Sequence, residues 1–174
     1  MTLIEAERAR LRAGGKDSAL RDWVRALEAT ATIAGNPQRI LPRVIEELAE
    51  TRGDAPALLS TSECLTYRAL DERINRYARW ALEQNLGKGE AVCLVMPNRP
   101  EYLAIWLGIT KVGGVVSLIN TNLRGTALAH CLDIVAPRHI IVAAGLCDEV
   151  HAALAAMTSR VHSIRRGPST SWAR

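Results

Sequence analysis

A chain of 174 residues can hold one domain with a real core, and 48% hydrophobic against 23% charged residues is a globular composition that excludes a disordered chain. The formal charge of +4 suggests nucleic acid, but Arg160, Arg165, Arg166 and Arg174 supply all of it. Residues 1–159 balance at 18 basic and 18 acidic side chains, so the basic face that DNA or RNA would need is missing.

Phe is absent and aromatics are scarce, so the core must rest on Leu, Ile, Val and Ala. Met1–Arg12 carries both signs of charge without an apolar run, and no secretory signal is expected. Met1–Ala13 reads as a charged helical lead-in broken by Gly14-Gly15. Asp17 or Ser18 can cap a second helix with Leu20, Trp23, Val24 and Leu27 at i, i+3, i+4, i+7. That stripe packs on the domain or a neighbouring chain, or docks on a membrane surface. Arg21, Asp22, Arg25 and Glu28 mix signs on the polar face, whereas interfacial membrane helices are rich in Lys and Arg, so packing is preferred. Gly35-Asn36-Pro37 is a turn. Pro42 suits the first turn of a helix carrying Val44, Ile45 and Leu48 and ending near Gly53. Ala57–Ser60 and Glu63–Thr66 read as a short hairpin.

The stretch Leu65–Gly125 organises the rest. Thr66 can cap a helix whose apolar face holds Leu70, Ile74, Tyr77, Ala78, Ala81 and Leu82, with Glu72 and Arg76 paired on the other face. Gly87 offers the left-handed residue that ends it. Ala91–Val95 is a strand covered on both faces. Asn98 and Glu101 suggest a capping box for a helix over Pro100–Val112 that is apolar nearly all round and therefore buried. Gly113-Gly114 stops it, and Val115–Ile119 is the next strand. Such a unit implies parallel strands. The most apolar run, Tyr102–Ile119, contains Lys111 and changes from helix to strand, so it reads as a buried unit and not a membrane span. Asn122 caps a helix with Leu128, Cys131, Leu132 and Val135, which Pro137 ends. His139–Val142 is a third buried strand. Leu146, Val150, Ala153, Leu154 and Met157 form a further helix, with Asp148 and Glu149 in its first turns. Val161–Ile164 reads as a fourth strand, and RRGPSTSWAR as a disordered tail.

Few residues suggest chemistry. Gly87-Lys88-Gly89 follows a helix and precedes a strand, the reverse of a phosphate cradle, and reads as a turn. The loop Met96-Pro97-Asn98-Arg99-Pro100 lacks the glycines of a dinucleotide fingerprint; Arg99 can meet an anion there or stay solvated. His130 and Cys131 are adjacent on a helix and do not face each other. His130, His139, His151 and His162 lack ligand spacing, so no metal site is assigned. Cys64, Cys93, Cys131 and Cys147 show no CxxC and read as reduced, mostly packed thiols of a cytosolic protein. Thr121, Asn122 and Arg124 lie at the C-terminal edge of a parallel sheet, where ligands bind; a turn with a helix cap explains them as well, and better.

LTYRALDERINRYARWAL, MPNRPEYLAIWLGITKVGGVVSLINTNLRG and LAHCL resemble the N-terminal part of the AMP-forming acyl-CoA synthetases, an adenylate-forming superfamily. They look most like the long-chain and very-long-chain fatty acyl-CoA synthetase, or fatty acid transport protein, branch. The likeness runs over roughly Leu41–Val142 and covers scaffold, not catalytic motifs. It implies an α/β fold: a partial parallel-sheet subdomain with helices on both faces, the beginning of an adenylate-forming large domain. Residues 1–36 would be the helical lead-in, 37–164 the partial AMP-binding domain and 165–174 a basic tail. It implies the reaction of ATP, fatty acid and coenzyme A to acyl-CoA, AMP and pyrophosphate. That chemistry needs Mg²⁺, a Ser/Thr/Gly-rich loop with a lysine, an adenine motif and a lysine in a mobile C-terminal domain. No Ser/Thr-Gly-rich run followed by Pro-Lys occurs, and Ser169-Thr170-Ser171 has no lysine. The expectation is therefore a fragment, cut by frameshift or truncation, with no catalytic, cofactor-binding or metal residues and no activity alone. It would self-associate or need a partner that supplies the rest of the domain. The other reading is a non-catalytic interaction module that keeps the scaffold. Either would sit in the cytoplasm, with peripheral membrane contact left to the N-terminal helix.

Overall fold

The computed structural model describes residues 19–31, 33, 35–155 and 164–166, the last three by backbone alone. They fall into two compact units that divide between Ile40 and Leu41. In the first, α1 (Ala19–Ala31) has no buried residue, and Leu20, Trp23 and Leu27 are exposed. Its expected caps, Asp17 and Ser18, lie outside the described residues.

The second unit opens with α2 (Leu41–Arg52), then the antiparallel hairpin β1 (Pro56–Leu59) and β2 (Cys64–Thr66). The Ser60 hydroxyl closes the hairpin by accepting from the backbone N–H groups of Ser62 and Glu63 at 3.2 and 3.0 Å. Thr66 then starts α3 (Tyr67–Glu83), its hydroxyl accepting from the Ala69 N–H at 3.2 Å. Leu70, Ile74, Ala78 and Ala81 are buried as expected, but Leu82 is 59% exposed, since it follows Ala81 by one residue and so turns about 100° away from the buried stripe. Glu72 and Arg76 form no ion pair with each other.

The end of α3 corrects the expectation for Gly87. Asn85, not Gly87, takes the left-handed conformation, with φ 53°. The Leu86 N–H reaches the Ala81 carbonyl and the Asn85 N–H the Leu82 carbonyl, the two bonds of a Schellman cap. Asn is the residue after Gly that tolerates this region best.

Four parallel strands follow: β3 (Ala91–Val95), β4 (Val115–Leu118), β5 (His139–Val142) and β6 (Ile164–Arg166), in the order β4-β3-β5-β6. The fourth strand starts at Ile164 and takes in Arg165 and Arg166, two residues the sequence assigns to the tail; residues 161–163 are not described. Between the strands run α4 (Pro100–Lys111), α5 (Gly125–Val135), a 3₁₀ turn (Ala144–Leu146) and α6 (Cys147–Ala155). Met157, expected in the last helix, is not described.

Strand alternation divides the core into two layers. Val92, Leu94 and Ile141 face Ala81 of α3 and Ile105 and Ile109 of α4. Cys93, Val95, Ile140 and Val142 face Leu128 and Leu132 of α5 and Val150 of α6. A third cluster joins Ile45 of α2, Leu65 of β2, Leu70 and Ile74 of α3, and Ala104 and Leu107 of α4. The apolar run Tyr102–Ile119 is thus divided between α4 and β4. Gly113, with φ 91°, turns the chain between them.

Candidate functional site

The chain leaves β3 by α4 toward one edge of the sheet and leaves β5 by α6 toward the other. Their C-terminal ends therefore flank a topological switch point, where open α/β sheets bind ligands. The Ala143 N–H donates to the Val95 carbonyl at 2.9 Å and holds the two strand ends together. Three loops rim this crevice: Met96–Arg99, Ile119–Arg124 and Ala143–Leu146.

In the first loop Met96 is buried, while Pro97, Asn98 and Arg99 are exposed. Arg99 is the N-cap of α4 and has no side-chain cap bond. The capping box expected from Asn98 and Glu101 does not form. Glu101 instead turns to α3, accepting from Arg73 Nη1 at 2.7 Å and from the Tyr77 hydroxyl. Arg73 also meets Glu63 beside β2 at 3.1 Å. Burial lowers the Arg73 pKa, but the two carboxylates outweigh it, so the guanidinium stays firmly charged. Tyr77 is pushed well above its usual range, first by burial and then by its bond to Glu101. The network ties the hairpin and α3 to the start of α4, and so fixes the loop before it.

The second loop brings Thr121, Asn122 and Arg124 together but closes on itself. The Asn122 N–H donates to Asn120 Oδ1 at 2.9 Å. Arg124 Nη1 donates to the carbonyls of Thr121 and Leu123 at 2.6 and 2.7 Å, and its Nε lies 3.9 Å from Glu149. Arg124, not Asn122, is the N-cap of α5, again without a side-chain bond.

The remaining candidates lie elsewhere. Gly87-Lys88-Gly89 is a turn at the opposite edge of the sheet. There the Glu90 carboxylate is held below its usual range, first by the Gly87 N–H and then by Arg138. His130 is exposed and Cys131 half-buried on α5. His139 is buried with its ring edge-on to Trp80, centroids 5.7 Å apart. His151 is exposed, and His162 lies outside the described residues. All four cysteines are free, with Cys64 exposed and Cys93 and Cys147 buried. Burial pushes the Cys93 thiol up to about 12. Among the described residues no group of His, Cys, Asp or Glu could hold a metal ion, and no helix is long and apolar enough to cross a membrane.

Sequence reasoning gave Lys111 no partner. The structure holds it between α2 and α3: it pairs with Glu46, donates to Asn75 Oδ1 at 2.5 Å and lies 3.9 Å from Asp71 Oδ1. Asp71 Oδ1 has no hydrogen bond of its own, so the ammonium is its nearest compensation.

Residues 45–171 match the family described as AMP-binding enzyme. The chain is 33% identical over 107 residues to long-chain fatty acid transport protein 6 of Homo sapiens, 61% of this chain and 17% of that protein. It is 35% identical over 120 residues to long-chain fatty acid transport protein 2 of Rattus norvegicus, 68% of this chain and 19% of that one. It thus spans under a fifth of the length of these curated relatives. A putative long-chain-fatty-acid CoA ligase from Rhodopseudomonas palustris superposes over 75% of this chain and 33% of its own, with a TM-score of 0.68 and 21% identity. An anthranilate CoA ligase superposes over 72% of this chain and 24% of its own, with a TM-score of 0.67 and 20% identity. At such identities the superpositions establish the fold, that of the N-terminal domain of adenylate-forming enzymes. With most of its length matched, the chain belongs to the AMP-binding enzyme family, in the company of fatty acyl-CoA synthetase-like proteins.

Proposed function

We propose that these 174 residues are scaffold from a fatty acyl-CoA synthetase and catalyse nothing by themselves. The fatty acid substrate is inferred from the names of the relatives, and the cytoplasmic location from the cysteine spacing, which reads as that of reduced thiols. One observation supports the inactivity: Arg124, the cation of the loop after β4, spends its Nη1 within that loop. Arg124 serves two carbonyls of its own loop and leans on Glu149. Adenylate formation needs donors aimed outward at the polyphosphate and a metal to share its charge. Among the described residues no group of His, Cys, Asp or Glu could hold Mg²⁺, and no step is derived through the metal or ATP. What the residues at this crevice do is shape it: Arg73 and Glu101 fix one rim and Arg124 the other. The test is pyrophosphate exchange into ATP with fatty acid present, using the purified chain. We expect no exchange above a no-protein control; fatty-acid-dependent exchange that survives repurification overturns the reading.

The open edge of the sheet supports a further part of this reading, that the chain self-associates or takes a partner. Among the described residues no strand pairs with the outer side of β4. Val115 and Leu118 are 51% and 40% exposed there, and no charge occurs from Val112 to Leu123. Unguarded edges of this kind favour pairing. Light scattering over a concentration series should show association; a monodisperse monomer at high concentration favours the alternative, a non-catalytic interaction module that keeps the scaffold.

A further inference from the structure

We draw no further inference here: the strongest candidate, the exposed apolar stripe of Leu20, Trp23 and Leu27 on α1, carries nothing because nothing in the structure shows what covers it.

Discussion

Replacing Gly108 with alanine probes the joint between α3 and α4. Gly108 is buried inside α4 with an ordinary helical backbone. Helix propensity alone favours alanine there by about 1 kcal/mol. The structure predicts the opposite sign. An alanine Cβ would stand 2.5 Å from the Tyr77 Cβ, 2.7 Å from the Ile74 carbonyl oxygen and 3.1 Å from the Ala78 nitrogen. Non-bonded carbons rest at about 3.5–4.0 Å, so α4 has to retreat from α3 by roughly 1 Å. Two of the three obstacles are backbone atoms, and no change of rotamer relieves them. The retreat loosens a joint in which Ile74, Ala104 and Leu107 are at most 2% exposed. Overpacking of this kind costs about 1–3 kcal/mol, and the backbone clash places this case in the upper half. Less the propensity gain, the net loss is about 1–2 kcal/mol, or roughly 2–8 °C in Tm for a chain of this size. Thermal and urea unfolding followed by circular dichroism measures it. Gly145→Ala is the control, because its Cβ meets nothing within 4 Å. A Gly108→Ala chain as stable as the parent, beside an unchanged control, would refute the close approach of the two helices.

Two further outcomes follow from the partly buried network and the buried thiol. Arg73→Ala leaves Glu63 and Glu101 facing each other without their shared cation, and should cost about 1–3 kcal/mol in urea unfolding. Arg73→Lys should recover only part of this, since an ammonium cannot reproduce the guanidinium fork; a parent-like midpoint for Arg73→Ala contradicts the role given to the network. Burial raises Cys93 from its ordinary 9.0 to about 12. Between those values the unfolded chain gives up the proton while the folded chain keeps it. The thiol's contribution is therefore whole below pH 9 and is lost as the pH climbs toward 12. Cys93→Ser should flatten the fall in stability over that window, and a thiol reagent should label Cys64 but not Cys93 in the native parent. Equal slopes, or rapid native labelling of Cys93, count against it.

The order of helices and parallel strands was legible because each element carries its own period. Val92, Leu94 and Ile141 on one face and Cys93, Val95 and Ile140 on the other are what a short, wholly apolar strand has to do between two helical layers. The errors sit at element ends, where tertiary contacts compete with local patterns. Asn98 and Glu101 have capping-box spacing, but Arg73, 28 residues earlier, offers Glu101 a charged partner and prevails. Asn85 displaces Gly87 because the helix ends two residues sooner, and the residue already at that place tolerates the left-handed region.

The place of the candidate site was legible for a different reason. The chain's alternation implies parallel strands, whose C-terminal edge is where ligands bind; the order β4-β3-β5-β6, which puts the switch point between β3 and β5, is seen only in the structure. What could not be read was the use made of the polar residues there. Arg124 in a sequence is a cation near a sheet edge; only coordinates show its Nη1 spent on the carbonyls of Thr121 and Leu123. Hydrogen bonds to backbone carbonyls leave no trace in side-chain pattern, since every residue has a carbonyl. Lys111 makes the same point in reverse. Its apolar neighbours hide the fact that Glu46, Asp71 and Asn75 reach it from two other helices. In both cases the charge serves the architecture. A site that lies on loops can keep its scaffold while the groups that act on substrate come from elsewhere in the chain. That division is the physical content of the proposal that residues 45–171, which show their family so clearly, are scaffold.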